Sequence, residues 1–502
     1  MQKIRIKLAL KFVAFVLVLC ICVGAVNGVM KPKFYFNNEW PTTNTFLDFY
    51  ELEKDSVDVL FLGSSHCINA FNPQVLYDEY GITSYNLASP QQNALLSYYW
   101  LEEALKYQSP KVVVLETFTF HYYKEDYVYN DMNCSEESAR KAMDFMRLSP
   151  LKVRAAFDIQ RYDPTQDALS YIFTNIRYHT RWKDLSEDDF SRAEMVEHGG
   201  IKGYSVHDGV NSSKKDVTFK AEDSVNAEEE PIVRVTDEYL EKIVNLCEEN
   251  GIQLILTCVP YGESIGRYKS VKNYADSKNI PFYDFNEESL YKEVKYNAKR
   301  NGYNHVDYSG AEKLTSYIGG VIAEKYGVAP RKDSSFEKTR EVYNHKVNNT
   351  LLSKTTDINK YLDLVNDSKY SVVMFAPFYE RGQYLGGSLT KKLQSLGFKT
   401  DFVTLQRGAH YIGINDGKDV IEKVSVKDYS YSNSFHDGRL ILKYSIDTSL
   451  YDLYSFEFGD LNYSEIGSTP GFKIIVYDND DKKIIDKIYV DTSSKELPIT
   501  RW

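Results

Sequence analysis

The block formed by Gly63, Ser64, Ser65 and His66 contains the residue types of a nucleophilic site. The apolar residues 57–62 come directly before it and are typical of a buried parallel strand. Ligands bind at the carboxyl ends of strands in open α/β sheets. A serine in a tight turn there can present its hydroxyl to a substrate beside backbone N–H groups. The block therefore predicts a serine nucleophile, with an ordinary strand-to-helix turn as the alternative.

Other polar residues follow further predicted strands, and His305 comes just before a predicted helix. A serine with a distant histidine around a parallel sheet is the layout of a serine hydrolase or acyltransferase. We expect Ser65 to be the nucleophile and His305 the general base, with the Ser65 N–H and the Asn86 side chain as oxyanion donors. The remaining candidates, for substrate binding, are His66, Gln91, Tyr261, His179 and Arg181. For His179 and Arg181, a structural role is the alternative.

The elements that must position these residues alternate between strands and helices. Strands are predicted at 57–62, 84–88, 111–116, 252–259 and 280–285, with a helix at 73–80. This alternation predicts an α/β fold with an open parallel sheet sandwiched by helices, flavodoxin-like in class. Residues 130–235, with a helical stretch at 135–146, are expected to form an insertion or cap over the sheet.

Three more helices have predicted start signals. Ser89 and Gln92 form a capping box for a helix that runs to about residue 107, and Thr236 is expected to cap a helix that stops at Gly251. Ser309 and Glu312 form the capping box of the last helix of this region, the one that follows His305.

The amino terminus predicts a membrane segment. Lys3, Arg5, Lys7 and Lys11 precede the apolar run 12–30. Nineteen helical residues at about 1.5 Å each span roughly 28 Å, close to the thickness of the hydrocarbon core. We expect an uncleaved anchor over residues 1–33, and a secretory signal peptide is the alternative. The basic residues place the rest of the chain outside the cytoplasm.

Composition excludes some functions. The net charge of −11 over 502 residues argues against a nucleic-acid partner. The 41 tyrosines suit stackable, polar surfaces such as sugar sites. Cys20 and Cys22 lie in the apolar amino-terminal run. The other four cysteines have neither metal-ligand spacing nor a disulfide framework, and they are Cys67, Cys134, Cys247 and Cys258. No metal and no cofactor are predicted.

A second domain is predicted after the sheet. Residues 331–350 are charged and lack periodicity, as in a linker. Beyond them come a strand at 370–376, a helix at 389–396, and many short strands with turn signals at 415–417 and 478–481. We expect residues 351–502 to form a β-rich α+β domain.

The polar blocks at 55–328 resemble those of the SGNH/GDSL hydrolases. Gly63-Ser64-Ser65 resembles the first block, with Ser64 in place of the usual Asp. Tyr85-Asn86-Leu87 resembles the second block, and His305 with Gly310-Ala311 resembles the last. The resemblance implies an SGNH domain over about residues 34–330, with Ser65 and His305 as its catalytic residues.

Two positions depart from the family pattern. Gly302 stands where the family has the Asp that orients its histidine, and Glu116-Thr117 stands where a Gly-x-Asn-Asp block is expected. Either Asn301, Asn304 or Asp307 orients His305, or the site works as a Ser–His dyad.

More narrowly, the chain resembles membrane-anchored, extracytoplasmic SGNH proteins of Gram-positive bacteria. These are similar to the acyl-transfer partners of membrane-bound O-acyltransferases, and the segment from Tyr178 to Trp182 resembles one that recurs among them. This implies an esterase or transferase of O-acyl groups, expected to be O-acetyl, on a cell-surface polysaccharide, with a membrane-bound O-acyltransferase as a partner. The alternative is a catalytically weak glycan-binding or scaffolding protein.

The carboxyl-terminal region resembles the PANDER-like, interleukin-like EMT inducer domains. The resemblance rests on residues 371–376, 418–421 and 464–486. It implies a carbohydrate-binding domain, and a spacer or stability domain is the alternative.

Overall fold

A computed structural model describes residues 2–31, 42–121, 140, 142–190, 201–209, 215–302, 305–379, 387–402, 404, 409–436, 438–446, 452–458, 461–466 and 471–502. The chain divides into two compact units, Met1–Asn344 and His345–Trp502. Asn304, Cys134 and half of the predicted helical stretch 135–146 lie outside the described residues.

The first unit contains a five-stranded parallel sheet. Its strands are β1 (Val59–Gly63), β2 (Ser84–Ala88), β3 (Val112–Glu116), β4 (Gln253–Cys258) and β5 (Phe282–Asp284). They are ordered β2-β1-β3-β4-β5, which is the flavodoxin-like order of doubly wound sheets. The predicted α/β class is confirmed. The direction of winding reverses between β1 and β3, and ligands bind at such a switch point.

Successive side chains along a strand point to opposite faces of the sheet, and in β1, β2 and β3 all of them are buried. Both faces of the sheet are therefore covered by helices. The helices of the unit are α1 (Gln2–Met30), α2 (Thr42–Tyr50), α3 (Ser65–Ala70), α4 (Pro73–Tyr80), α5 (Ala94–Ala104), α6 (Pro150–Tyr162), α7 (Ala168–Ile172), α8 (Asn175–Tyr178), α9 (Arg234–Glu249), α10 (Ile265–Ser277), α11 (Glu288–Glu293), α12 (Ala298–Asn301) and α13 (Tyr308–Tyr326). In β1, Leu60 and Leu62 join the core formed with α2, α5, α6, α9 and α10, while Phe61 stacks on Phe71 with ring centroids 4.8 Å apart.

The start of α5 corrects a prediction. Its N-cap is Asn93, which accepts a hydrogen bond from the Leu96 N–H at 3.1 Å. The Ser89 hydroxyl instead donates to Gln92 Oε1 at 3.1 Å within the preceding loop. Several residues in this stretch can cap a helix, and the sequence rule alone chose the wrong one.

The predicted caps of α9 and α13 are also wrong. Val233 precedes α9, so Thr236 lies within its first turn. Asp307 caps α13 by accepting from the Gly310 N–H, and Ser309 lies inside the helix. A carboxylate two residues before Ser309 is an equally good cap, and the sequence rule does not rank the two.

Part of the region 130–235, which is predicted to be an insertion or cap and lies between β3 and β4, belongs to the core of the unit. Ala155, Ala156 and Ile159 of α6 pack in the main apolar cluster, and Trp100 Nε1 donates to the Ala142 carbonyl at 2.9 Å. Further along the same region, the Lys202 carbonyl accepts from the Asn86 N–H of β2 at 2.9 Å.

The predicted linker 331–350 is mostly helical. Residues 335–350 of this range belong to α14 (Ser335–Lys354). The boundary between the two units falls inside this helix, between Asn344 and His345. Within the first unit, Phe336 stacks on Tyr77 with ring centroids 4.2 Å apart. Such contacts stabilise a helix whose charged sequence shows no amphipathic period.

The second unit is β-rich, as predicted. Its elements are α15 (Ile358–Val365), β6 (Tyr370–Tyr379), α16 (Gly387–Ser395), β7 (Ala409–Asn415), β8 (Val420–Ser425), β9 (Tyr429–Phe435), β10 (Gly438–Ile446), β11 (Asp452–Phe458), β12 (Leu461–Ile466), β13 (Gly471–Asp478), β14 (Lys483–Asp491) and β15 (Ile499–Arg501). A six-stranded antiparallel sheet has the order β15-β14-β13-β6-β7-β8, and a four-stranded sheet has the order β12-β11-β10-β9. One core lies between the larger sheet and α15 and α16, and another contains side chains of both sheets.

Candidate active site

Ser65 and His305 lie together at the carboxyl edge of the parallel sheet. Ser65 is the first residue of α3, two residues after the end of β1, and His305 lies in the loop just before α13. The Ser65 Oγ is 2.9 Å from the His305 Nε2, although 240 residues separate them in sequence. The fold therefore brings the predicted serine and histidine within hydrogen-bond distance.

The turn that presents Ser65 depends on its two preceding residues. Gly63 has a φ of +149°, and a Cβ there would lie 2.7 Å from the Cβ of Glu116. Ser64 is the N-cap of α3, and its hydroxyl accepts from the His66 N–H at 3.2 Å. Gly63 thus permits close packing against β3, while Ser64 starts the helix on which Ser65 stands.

Glu116 connects the two strands at the switch point. Its Oε2 accepts from the Ser64 hydroxyl at 2.8 Å and from the Ser64 N–H at 3.3 Å, and its Oε1 accepts from the Phe118 N–H at 2.6 Å. Burial raises the pKa of Glu116 to about 7, although these hydrogen bonds favour the carboxylate. The sequence marked Glu116 only as a departure from a family block, yet it holds the residue before Ser65.

Two further histidines surround His305. The His66 and His207 rings lie with their centroids 5.0 and 5.7 Å from that of His305. Burial, and secondarily the charge of His207, lowers the pKa of His305 to about 4. His305 is therefore neutral near pH 7 and able to accept a proton. Sequence reasoning missed His207, which lies in a polar stretch without periodicity.

Aromatic rings form one side of the site. The His66 ring contacts Phe118 at a centroid distance of 3.8 Å and Tyr261 at 5.2 Å, and Phe118 and Tyr261 are 4.9 Å apart. Both Phe118 and Tyr261 are half-buried. The structure thus brings the predicted residues His66 and Tyr261 together with Ser65 and His305, and it adds Phe118.

Asn86 lies in the middle of β2, two residues before its end. Its Nδ2 donates to the Phe71 carbonyl at 2.7 Å, and its buried Oδ1 has no hydrogen-bond partner among the described residues. The structure also shows no acceptor for the Ser65 backbone N–H within the described part of the chain. The Ser65 N–H is therefore the better-placed oxyanion donor.

The backbone at Gly302 leaves no room for a side chain. Gly302 has a φ of +88°, and a Cβ there would lie 2.4 Å from the His305 carbonyl oxygen. Asn301 donates from Nδ2 to the Ser309 hydroxyl at 2.8 Å, and the Asp307 Oδ1 caps α13. The acid that the sequence resemblance implies at position 302 therefore does not fit this backbone.

Two buried acidic residues lie at the ends of neighbouring strands: Glu263 follows β4, and Asp284 is the last residue of β5. Burial, and then the charge of Asp284, raises the pKa of Glu263 to about 8, and burial raises the pKa of Asp284 to about 7. The Asn286 Oδ1 accepts from the backbone N–H groups of residues 261, 262 and 263 and so fixes the Tyr261 turn. No periodic pattern in the sequence points to these residues.

The other predicted binding residues lie in two different parts of the unit. Gln91 follows β2 in a loop and has a φ of +61°, a strained conformation that is common near functional sites. Arg181 is directed elsewhere: it donates to the Met30 carbonyl at 2.7 Å and to Asp189 at 2.7 Å. His179 is exposed, and its Nδ1 lies 3.0 Å from the Ile176 carbonyl. Arg181 thus contacts the end of α1, and His179 contacts a carbonyl three residues before it. These contacts favour a structural role for both residues over substrate binding.

Comparison with known proteins finds little. No family model matches the chain, and no curated protein matches it. One similar solved structure, from Bacteroides fragilis, carries the provisional title of an acylhydrolase. It is 14% identical with a TM-score of 0.26, and the alignment covers 58% of this chain and 99% of that one. At this identity and score, the likeness identifies neither a family nor an activity for this chain.

Proposed function

We propose that this chain is a membrane-anchored serine esterase or O-acyltransferase that acts on O-acyl groups, chiefly O-acetyl groups, of an extracellular polysaccharide. The observation that carries the proposal is the 2.9 Å distance between the Ser65 Oγ and the Nε2 of a neutral His305 at the carboxyl edge of the sheet.

In the first half of the reaction, the Ser65 Oγ attacks the acyl carbonyl carbon while His305 Nε2 takes the hydroxyl proton. The carbonyl oxygen becomes an oxyanion, and the Ser65 N–H is the donor available for it. His305 then gives its proton to the leaving alcohol, the C–O bond of the ester breaks, and Ser65 carries the acyl group.

In the second half, a hydroxyl attacks the acyl-enzyme and passes its proton to His305. The Ser65 Oγ then leaves and takes that proton back. If the hydroxyl belongs to water, the enzyme is an esterase, and if it belongs to a sugar, the enzyme is a transferase. The half-buried rings of Phe118 and Tyr261, which pack on the buried His66, favour a sugar beside Ser65, because aromatic faces can exclude water and stack on apolar sugar faces.

The proposed location follows from α1. The segment Arg5–Met30 is long and apolar enough to cross a membrane, and its residues are exposed from Arg5 to Val26. Its end is bonded into the first unit: Asn27 Oδ1 accepts from the Asn175 N–H at 3.2 Å, and Lys31 Nζ donates to the Asp144 carbonyl at 3.1 Å. Cleavage after Lys31 would remove both contacts, which favours an uncleaved anchor over a signal peptide. Intact-mass analysis of the membrane-bound protein measures this directly.

The second unit is proposed to hold the glycan. The support is its resemblance to carbohydrate-binding PANDER-like domains and its possession of separate apolar cores. A membrane-bound O-acyltransferase is proposed as the acyl donor on the same ground of resemblance. Titration of the full chain with capsule and wall fragments, with and without the second unit, tests the glycan proposal.

Fluorophosphonate labelling tests the nucleophile. We expect the full chain to be labelled on Ser65, and Ser65→Ala to lose the label and about 10³-fold or more of its activity on an aryl acetate. Ser277→Ala is the matched control because it removes an exposed serine hydroxyl at the end of α10 and leaves the turn that presents Ser65 unchanged.

The acceptor and the alternative are decided in the same assay. Supplying an oligosaccharide acceptor and weighing the products by mass spectrometry separates transfer from hydrolysis. A chain that neither takes the label nor turns over any acetyl ester, yet binds glycan, is the scaffolding protein of the alternative. Full activity in Ser65→Ala would show that the nucleophile is another residue.

A further inference from the structure

A patch of exposed apolar side chains adjoins the extracellular end of α1. Nine large apolar side chains outside α1 are exposed in the described part of the first unit, and seven of them lie between residues 148 and 190. Soluble surfaces seldom gather exposed apolar groups in this way. The seven are Leu148, Phe157, Leu169, Phe173, Ile176, Trp182 and Phe190, and we call residues 168–190 of this region the juxtamembrane segment.

Hydrogen bonds fix the juxtamembrane segment to the end of the helix. Arg181 Nη1 donates to the Met30 carbonyl at 2.7 Å, and the Asn175 N–H donates to the Asn27 side chain at 3.2 Å. Met30 is the last residue of the apolar run, so it lies near the border of the hydrocarbon core when α1 spans a bilayer. Residues bonded to Met30 and Asn27 must therefore lie at the level of the lipid headgroups.

The exposed side chains of this segment suit that level. Leu169, Phe173 and Ile176 are spaced four and three residues apart over α7 and α8, and they are 48%, 48% and 45% exposed. Trp182 is 64% exposed in the 3-10 turn that contains Arg181. Tryptophan and other aromatic residues are favoured at the membrane–water interface, where apolar rings enter the acyl boundary.

Charge does not explain the patch. Residues 168–190 contain three basic and four acidic residues, and Arg181 pairs with Asp189 at 2.7 Å. A surface for anionic lipid would carry a net positive charge. Insertion here should therefore depend on apolar contact and occur in a zwitterionic bilayer.

We propose that the juxtamembrane segment inserts its exposed apolar side chains, Trp182 foremost, into the outer interface of the lipid bilayer beside α1. The chain is then held by its helix and by a second, peripheral contact. This inference rests on the proposed membrane insertion of α1 and is independent of the chemistry at Ser65.

The test uses the full chain in nanodiscs of phosphatidylcholine, with and without bromine on the acyl chains, which quenches tryptophan fluorescence on contact. Trp182 is one of four tryptophans. We expect brominated discs to quench part of the emission, and Trp182→Phe to lose much of that quenchable part. Trp502→Phe, which removes a tryptophan of the second unit, is the matched control and should keep it.

Each outcome has one meaning. A quenchable part that is equal in the wild-type chain and in Trp182→Phe overturns the proposal, and it leaves the patch free for a protein partner within the membrane. Failure of the chain to co-elute with the discs overturns the anchor itself. Both results leave labelling of Ser65 unaffected, so failure here is distinct from failure of the proposed catalysis.

Discussion

The buried state of His305 predicts an unusual pH dependence of catalysis. His305 lies beside Ser65 with its pKa lowered to about 4, first by burial and then by His207. A general base works only when unprotonated, so the acid limb of kcat/KM, which reports the free enzyme, should follow this pKa. At pH 5.5, a histidine with a pKa of about 4 is about 97% neutral, whereas an unperturbed one with a pKa of about 6.5 is about 9% neutral.

The measurement is kcat/KM for an aryl acetate between pH 3.5 and 8.5, corrected for spontaneous hydrolysis. His207→Gln removes the neighbouring ring, so the pKa of His305 should rise and the acid limb should move toward neutral pH. His121→Gln is the matched control. Burial lowers the pKa of His121 as well, but its Nε2 lies 2.8 Å from the Ser270 hydroxyl, away from His305. An acid limb near pH 6.5 that does not move in His207→Gln would refute the prediction that the general base is a buried, desolvated His305.

Glu116 adds a second expected feature. Its pKa of about 7 means that the carboxylate that holds Ser64 is half protonated near neutral pH. If the reaction requires that carboxylate, kcat/KM should show an inflection near pH 7 that disappears in Glu116→Gln. The inflection near pH 4 should remain in this variant, which separates Glu116 from His305.

Three stability and activity predictions follow from single positions. Burial raises the pKa of Glu116 from 4.5 to about 7, so its contribution to folding is lost as the pH rises through this range. The loss is about 3 kcal/mol, and Glu116→Gln should abolish it in unfolding curves of the first unit taken at pH 5 and 8. Gly302→Ala should lower kcat at least about tenfold and lower the free energy of unfolding by about 1–3 kcal/mol, because residue 302 has a φ of +88° and a Cβ there would meet the His305 carbonyl. A Gly302→Ala variant with the kcat of the wild-type chain would contradict this prediction. Asp478 is buried, which alone would raise its pKa, but hydrogen bonds from His345, Asp481 and Asn349 lower it to about 2. Acidification from pH 4 to 2 should therefore remove about 2 kcal/mol from the second unit, and Asp478→Asn should lose this dependence in acid melts.

Much of the first unit could be predicted from local sequence. Pro73–Tyr80 and Ser84–Ala88 have the bounds that the sequence predicts, because a proline start and a short apolar strand are strong local signals. Ser65 and His305 could be expected together for a topological reason. Parallel strands end on one edge, so residues after different strands meet there.

The failures have a different cause. Asn93, and not Ser89, caps α5, and a charged stretch without periodicity forms α14 because contacts such as Phe336 on Tyr77 hold it. The role of Glu116 also depends on a register across two strands, which no local pattern encodes. For Arg181 the sequence leaves both ligand binding and a structural role open, and its direction toward Met30 is set by packing against α1. Local rules identify which residues can do chemistry, and long-range contacts decide where they point.

The contact between Gly63 and Glu116 has a consequence for how this sequence can vary. A Cβ at 63 would lie 2.7 Å from the Glu116 Cβ, so a side chain at 63 requires that position 116 carry no Cβ. Homologues should therefore show covariation between these two positions, with a non-glycine residue at 63 appearing only beside glycine at 116. A mutagenesis library that varies the nucleophile turn alone would meet this barrier at its first position, whereas one that randomises both positions together could pass it.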